Sequence, residues 1–245
     1  MYKKHTTLKP LTMATAPTKA DRLILFDIDH TLINGSEGHK LAFKEGFKIA
    51  YDIETTIDII DYLGMTDIEI IYEVLKIHKF DEQTITSKLQ ECIDIMINTF
   101  NKVAANHHIK VLDGVKELLN ELNTYHILVG LVTGNLEPIA WKKLQIAGLD
   151  KYFSLGGFGS DDRRRSNLIK LAIKRAGERF DFTFNDNVYV FGDTPKDIYA
   201  GKEANVKTVG VATGRFTKDQ LMNIGADFVF PNLKNTTNVL KAILN

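Results

Sequence analysis

The fold is constrained most by short runs that are apolar at nearly every position: LILF (23–26), HILVGLV (126–132), NVYVFG (187–192), VKTVGVA (206–212) and DFVF (227–230). Such runs suit strands buried on both faces, because a strand with one wet face alternates apolar and polar residues. Segments with helical spacing lie between or after them, at 136–147, 166–176, 195–204, 217–224 and 233–244. Strand alternating with helix predicts an α/β fold with a central parallel sheet covered by helices on both sides.

One long segment departs from this alternation. Residues 35–108 have helical spacing throughout, with apolar stripes at Ile68, Ile71, Tyr72 and Leu75 and at Leu89, Ile93, Met96, Ile97 and Phe100. Crossovers between parallel strands usually need far fewer residues, so an inserted helical domain is favoured over several ordinary crossover helices in one domain. We predict a flexible arm at 1–20, an α/β core at 21–34 and 109–245, and a helical domain at 35–108.

Composition excludes several classes of protein. Lys+Arg and Asp+Glu are both 31, which leaves no net field to attract nucleic acid or an anionic membrane. Cys92 is the only cysteine, which excludes an internal disulfide framework and a Cys-based zinc cluster and fits a reducing compartment. No apolar run approaches the roughly 18 residues of a membrane span. We expect a cytoplasmic protein, monomer or homodimer, with no nucleic-acid or membrane partner.

Polar residues follow three of the predicted strands. Ligands of open parallel sheets bind outside the carboxyl ends of the strands, so these positions could form a site. They are Asp27 and Asp29 after the first run, Thr133, Gly134 and Asn135 after the second, and Gly192, Asp193 and Asp197 after the third. The sheet would bring four carboxylates and a hydroxyl to one edge.

Carboxylates that meet in a partly buried site need a counter-charge, because like charges a few ångström apart raise one another's pKa. Oxygen-only ligands select a hard divalent ion, and Mg²⁺ completes its shell with water and phosphate. A phosphate fits the rest, since Thr133 offers a hydroxyl, Gly134 permits close approach and the next helix presents its first amides. Each piece alone has an ordinary explanation, Asp29 or Asp197 as a helix N-cap and TGN as a common turn. Their joint order favours a site for Mg²⁺ and phosphate.

These residues resemble the motifs of the haloacid dehalogenase superfamily of aspartyl-phosphate hydrolases. The first motif, DxDxT, stands at 27–31 as DIDHT, the second is Thr133 in LVTGN, and the fourth, GDxxxD, stands at 192–197 as GDTPKD. The resemblance covers about residues 23–244 and implies a Rossmann-like three-layer core with residues 35–108 as a helical cap. Within that segment, GMTD (64–67) is similar to a G-x-T-D element of phosphoglycolate phosphatase-like members.

The third motif departs from the commonest pattern, in which a lysine lies near a proline at a helix start. Here the region is GFGSDDRRRSNLIKLAI, without such a pair. It resembles a variant in which an arginine lies three positions before the leucine of the helix, which on that register is Arg165, with Arg164 as the competitor. An arginine suits the role because its planar fork can hold phosphate and carboxylate oxygens together. The remaining arginines are interpreted as a solvated charge run.

The resemblance also implies a role for each residue. Asp27 would be the nucleophile that forms an aspartyl-phosphate, and Asp29 the general acid and then the general base. Mg²⁺ would be held by Asp27, the backbone carbonyl of Asp29 and Asp193, with Asp197 supporting the metal shell through water. The residues implied in phosphate binding are Thr31, Thr133, Gly134, Asn135 and Arg165.

The aspartate at position 29 also indicates which reaction of the superfamily to expect. The dehalogenases and phosphonatases lack an aspartate there, and Thr31 resembles the phosphatases, whereas sugar-phosphate mutases more often have Val. We therefore predict a Mg²⁺-dependent phosphatase of a small phosphomonoester metabolite, with phosphoglycolate the nearest precedent. The alternatives are a β-phosphoglucomutase-like phosphotransferase and a non-catalytic binding protein. Substrate choice would lie in the cap, where the candidates are His39, Lys40, Phe43 and Lys44.

Overall fold

All five apolar runs form strands of one parallel sheet in the computed structural model, which describes residues 20–35, 37–125, 127–184 and 186–244. The strands are Arg22–Phe26 (β1), Ile127–Thr133 (β4), Gly156–Phe158 (β5), Val188–Gly192 (β6), Lys207–Val211 (β7) and Phe228–Phe230 (β8), and a separate antiparallel pair joins Ile33–Asn34 (β2) to Lys110–Val111 (β3). The sheet order is β5-β4-β1-β6-β7-β8. β1 is therefore central, and its carboxyl end lies between those of β4 and β6.

Helices cover both faces of the sheet: Val115–Leu122 (α4), Glu137–Ala147 (α5), Arg165–Phe180 (α6), Pro195–Glu203 (α7), Lys218–Asn223 (α8) and Thr236–Leu244 (α9). Because side chains alternate along a strand, β1 contributes residues to two apolar clusters, one on each face of the sheet. Ile24 and Phe26 pack with residues of α4, α5 and α9, whereas Leu23 and Leu25 pack with residues of α6 and α7. The predicted three-layer α/β core is confirmed.

The helical segment (residues 37–108) lies between β2 and β3. It contains the helices Glu37–Tyr51 (α1), Asp67–Ile77 (α2) and Glu82–Val103 (α3), and its described residues form no strand. It has an apolar cluster of its own, in which Phe43 and Phe47 of α1 meet Ile71 of α2 and Met96 of α3. Leu136 and Ile139, at the start of α5, join this cluster, so the segment rests on the loop that follows β4. The domain boundaries at 35 and 108 remain a prediction.

The sequence pattern missed two elements of the core. β5 is only three residues long and two of them are glycines, which carry no apolar pattern. The glycines serve packing: a Cβ at Gly157 would lie 2.1 Å from the carbonyl oxygen of Leu168 in α6. α4 follows Gly114, whose φ of +83° is left-handed and favours glycine.

The predicted arm lies outside the described residues except for Ala20, which is buried. Within the part of the chain that the structure describes, none of the helices has the length and apolar character needed to span a membrane.

Candidate active site

Three buried aspartates meet at the carboxyl ends of β1 and β6. Asp27 follows β1, Asp193 follows β6, and Asp197 lies in the first turn of α7. Each offers one carboxylate oxygen, and these atoms lie within 4.8 Å of one another. An all-oxygen set of this kind is what a hard divalent cation such as Mg²⁺ takes.

The ionised forms of Asp27 and Asp193 are disfavoured in this group. Burial raises the pKa of Asp27, Arg165 opposes this rise, and the charges of Asp197 and Asp29 add to it, so that the pKa is about 7 instead of 3.8. Burial, with Asp197 and Asp27, raises the pKa of Asp193 to about 9. Like charges this close need a counter-ion to stay ionised together, so the residues present fit Mg²⁺.

We expect the metal-free protein to lose stability as the pH rises from about 4 to about 9. The pKa values of Asp27 and Asp193 in the folded state lie above the ordinary value, so the folded protein holds protons that the unfolded chain has already released. Each deprotonation in this window therefore disfavours the folded state. Mg²⁺ binds the ionised carboxylates, so the rise in melting temperature that it causes should grow across the same window. Thermal unfolding with Mg²⁺ and with EDTA at several pH values measures both trends.

Asp193→Asn is the control for this expectation, because the amide does not titrate. It should flatten the pH dependence in EDTA and weaken the response to Mg²⁺. A Mg²⁺-induced shift in melting temperature of equal size at about pH 5 and about pH 9, in wild type, would contradict the assignment.

Arg165 bridges two of the three aspartates. It opens α6, and its Nη2 lies 2.8 Å from Asp27 Oδ1 and 2.6 Å from Asp197 Oδ1. Burial opposes its charge, but Asp197 and Asp27 outweigh burial and raise its pKa. Its buried Nε has no hydrogen-bond partner among the described residues, which leaves a donor for an anion.

The other arginines of the run lie elsewhere. Arg164 is exposed and pairs with Glu203 at 2.7 Å. Arg163 lies over the ring of Tyr72 in α2, 4.3 Å from its centroid. The structure thus brings Arg165, and not Arg164, to the aspartates, an alternative that the sequence left open.

Thr133 and Asn135 lie at the end of β4, beside Asp29. Asn135 Nδ2 donates to Thr133 Oγ1 at 2.7 Å and to Asp29 Oδ2 at 2.8 Å. The Thr133 hydroxyl accepts here, so its own proton is available for a further acceptor such as a phosphoryl oxygen. The Asn135 amide, which was predicted to bind phosphate, is instead committed to Asp29 and Thr133.

Gly134 lines the site cavity and also approaches the helical segment, whereas Thr31 lies apart from the cavity. A Cβ at Gly134 would lie 2.2 Å from the carbonyl oxygen of Met65, so this close approach serves the helical segment. The Gly134 carbonyl accepts from the Asp67 amide at 2.7 Å. Thr31 is fully buried, its hydroxyl has no partner among the described residues, and it does not line the site cavity.

Two buried charged residues near the site, Lys143 and Asp67 of the GMTD element, were given no role from the sequence. Lys143 of α5 is fully buried, and its Nζ lies 2.8 and 2.7 Å from the two carboxylate oxygens of Asp29. Burial raises the pKa of Asp29, but Lys143 outweighs burial and, with the hydrogen bond from Asn135, holds that pKa below its ordinary value. The signal was present, since Lys143 lies between Ala140 and Ala147 on the buried stripe of α5. Asp67 is the other, buried at the start of α2.

A cavity of about 100 Å³ lies between the sheet edge and the helical segment. Asp27, Asp29, Asn135, Arg165 and Asp193 line its floor, and Phe43, Ile57, Tyr62 and Ile70 form an apolar roof. Of the specificity candidates in α1, His39, Lys40 and Phe43 line this cavity, whereas Lys44 is exposed and does not. The cavity therefore offers a charged end and an apolar end to a small ligand.

Comparison with known proteins identifies relatives that match most of the chain. A family model described as haloacid dehalogenase-like hydrolase matches residues 24–211. The pyrophosphatase PpaX of Oceanobacillus iheyensis is 25% identical over 227 residues, which cover 89% of this chain and 96% of that protein. A glyceraldehyde 3-phosphate phosphatase of Methanocaldococcus jannaschii is 26% identical over 228 residues, with coverage of 89% and 96%.

The fold is also similar to solved structures. The crystal structure of a predicted phosphatase from Clostridium acetobutylicum matches with a TM-score of 0.69 at 22% identity, covering 90% of this chain and 98% of that one. At this identity the likeness concerns the fold alone.

Proposed function

The chain belongs to the haloacid dehalogenase-like hydrolases, and from this premise we propose that it is a Mg²⁺-dependent phosphatase acting on a small phosphomonoester through an aspartyl-phosphate. The observation that carries the proposal is that two neighbouring aspartates, Asp27 and Asp29, have different surroundings. Asp27 lies in the candidate metal group with Asp193 and Asp197, while Asp29 lies outside that group and is held by Lys143 and Asn135. Two carboxylates in two environments suit two tasks.

Asp27 is the nucleophile of the proposal. Its carboxylate attacks phosphorus, the bond from phosphorus to the ester oxygen breaks, and the leaving oxygen takes a proton from Asp29. Water then attacks the aspartyl-phosphate, gives a proton to Asp29, and phosphate leaves with Asp27 regenerated. Asp29, held ionised, is ready for the second step. In the first step Asp29 has to be protonated and aimed at the leaving oxygen, so departure of an alkoxide depends on how Asp29 is held.

The metal would be held by the carboxylates of Asp27 and Asp193 and the backbone carbonyl of Asp29, with Asp197 supporting the shell. When bound, it neutralises charge so that a carboxylate can approach a phosphate dianion. Arg165 and the Thr133 hydroxyl hold phosphoryl oxygens, and Asn135 orients Asp29. Asp197 has a second task, because its Oδ2 accepts from the amide and hydroxyl of Thr194 and caps α7.

The substrate is proposed as a small phosphorylated metabolite, in keeping with the cavity size. Phosphoglycolate is the nearest precedent from sequence, and the names of the relatives add pyrophosphate and glyceraldehyde 3-phosphate. The single buried thiol, Cys92, supports a cytoplasmic location for the enzyme.

Phosphate release from a panel of metabolites tests the proposal. The panel contains phosphoglycolate, glyceraldehyde 3-phosphate, pyrophosphate and β-glucose 1-phosphate, each with Mg²⁺ and with EDTA. We expect Mg²⁺-dependent release of inorganic phosphate from at least one monoester. Conversion of β-glucose 1-phosphate to an isomer without release would favour the mutase, and no turnover of any compound would favour a binding protein.

Arg165→Met is expected to lower kcat/KM by about 10²-fold or more, because a buried donor to the transferring phosphoryl group is lost. Arg164→Met is the matched control, one residue away but exposed and paired only with Glu203 among the contacts described. It should stay within about 2-fold of wild type. Steady-state kinetics on the best substrate of the panel measures both, and equal losses in the two variants would contradict the placement of Arg165.

A further inference from the structure

Lys143 has surroundings that a chance lysine on a core helix would not have. Its side chain is fully buried, which is costly for an ammonium group without partners. Its Nζ lies 2.7 and 2.8 Å from the carboxylate oxygens of Asp29, 2.5 Å from Asn135 Oδ1 and 3.1 Å from His39 Nδ1. An ammonium group has three N–H donors, and three partners receive them. No donor remains for a phosphate, so Lys143 can act only through its neighbours.

The contact with His39 defines the direction of the hydrogen bonds. Because an ammonium group only donates, His39 Nδ1 accepts from Lys143, and the histidine is the neutral tautomer with its proton on Nε2. That Nε2 lies 3.0 Å from Asp67 Oδ2 and donates to it. A chain of donors thus runs from Lys143 through His39 to Asp67, while Lys143 also donates to Asp29.

The chain crosses between the two parts of the molecule. His39 belongs to α1 and Asp67 to α2, whereas Lys143 belongs to the core. Asp67 also grips the loop after β4, since its Oδ2 accepts from the amide of Leu136 at 2.8 Å and its amide donates to the carbonyl of Gly134 at 2.7 Å. His39, the partner that completes the shell of Lys143, therefore comes from the helical segment, and Asp67 fastens that segment to this loop.

We propose that Lys143 is a positioning residue for Asp29, and that His39 and Asp67 complete this positioning when the helical segment is seated on the loop after β4. The inference rests on the proposed function, in which Asp29 transfers the protons. When the helical segment is seated, it thereby fixes the orientation of Asp29 and also encloses the substrate.

Lys143→Met tests the positioning role, with Lys142→Met as the matched control on the same helix. The substrates are p-nitrophenyl phosphate, whose leaving group departs without a proton, and the alkyl monoester of the panel that wild type hydrolyses fastest.

We expect Lys143→Met to lower kcat on the alkyl monoester by about 10²-fold or more with little change in KM. From p-nitrophenyl phosphate it should give a burst of about one nitrophenolate per enzyme, followed by slow turnover, because only the second step then needs Asp29. Lys142→Met should behave as wild type. Equal losses on both substrates without a burst would overturn the proposal.

A double-mutant cycle with Asp29→Asn separates action through Asp29 from a merely structural role. If Lys143 acts through Asp29, the double variant should be no slower than Asp29→Asn alone, within about 2-fold, whereas independent losses that add would overturn the proposal. His39→Phe keeps the ring stacked on Phe43, with centroids 5.0 Å apart in wild type, and removes both nitrogens. The loss of kcat in His39→Phe should depend on the leaving group in the same way but be smaller. This variant replaces Lys143→Met in the test if Lys143→Met does not fold.

Turnover that survives Asp27→Asn would remove the proposed function itself. An inactive Asp27→Asn variant together with a Lys143→Met variant whose loss does not depend on the leaving group would remove only the inference about Lys143.

Discussion

Asp27→Asn is expected to abolish phosphate release, with kcat reduced by at least about 10⁴-fold. The amide keeps the shape of the side chain but cannot attack phosphorus, and it is a weaker ligand for a divalent ion. Because burial raises the pKa of Asp27 to about 7, the metal-free fold gains little from its charge at neutral pH. The melting temperature in EDTA should therefore not fall, which separates loss of chemistry from loss of folding. Phosphate release and thermal unfolding measure the two effects.

The matched control is Asp21→Asn, since Asp21 is exposed and lies just before β1, at the opposite end of the strand that carries Asp27. This control should retain full activity. Mass spectrometry of acid-quenched wild type during turnover should find one phosphoryl group on the peptide that contains Asp27, and none in the variant. A covalent phosphate on another residue would contradict the nucleophile assignment even if Asp27→Asn were inactive.

Removal of Mg²⁺ is expected to have an effect of similar size. Asp27, Asp193 and Asp197 lie together with Arg165 as their charged neighbour, and a phosphate dianion brought to this group adds further negative charge. Without the metal the nucleophile and the phosphate repel each other. Activity in EDTA should fall to background and return with added Mg²⁺. Asp193→Asn should raise the Mg²⁺ concentration needed for half-maximal activity by about 10-fold or more, because one charged ligand is lost.

Asp186→Asn is the control for this variant, because Asp186 is exposed and precedes β6, the strand whose other end carries Asp193. Its requirement for Mg²⁺ should equal that of wild type. Full activity in EDTA after extensive dialysis, or an unchanged Mg²⁺ requirement in Asp193→Asn, would show that these carboxylates do not hold a catalytic metal.

Much of the core could be predicted because a buried parallel strand has a distinctive pattern. The five apolar runs and the helical segments between them all appear in the structure within a few residues of their predicted bounds. β5 could not be predicted, because its two glycines carry no periodic signal, and Gly157 is needed for the close approach of α6. The position of β5 depends on the helix that packs on it. A prediction from the periodicity of one segment therefore cannot detect this strand.

Some residues of the candidate site could likewise be predicted from sequence, and others could not. Asp27 and Asp193 could be located from sequence because each directly follows a strand, and neighbouring parallel strands bring their carboxyl ends to one edge. Lys143 was given no role from sequence, although it lies on the buried stripe of α5, because it reaches Asp29 from the second turn of a helix and has no fixed spacing from Asp29 in sequence. Contact of Gly134 with phosphate stays a prediction; Gly134 lines the cavity and also approaches Met65 of the helical segment.

The sequence by itself determined the layer order, the sheet edge and the acidic group, since these follow from local periodicity and from the residues that end each strand. Only the tertiary structure decided between Arg164 and Arg165, because adjacent residues at a helix start point in different directions. It also decided the surroundings of Asp29. The interactions of Lys143, His39 and Asp67 depend on how the helical segment rests on the loop after β4, and such a contact between distant parts of the chain leaves no local pattern.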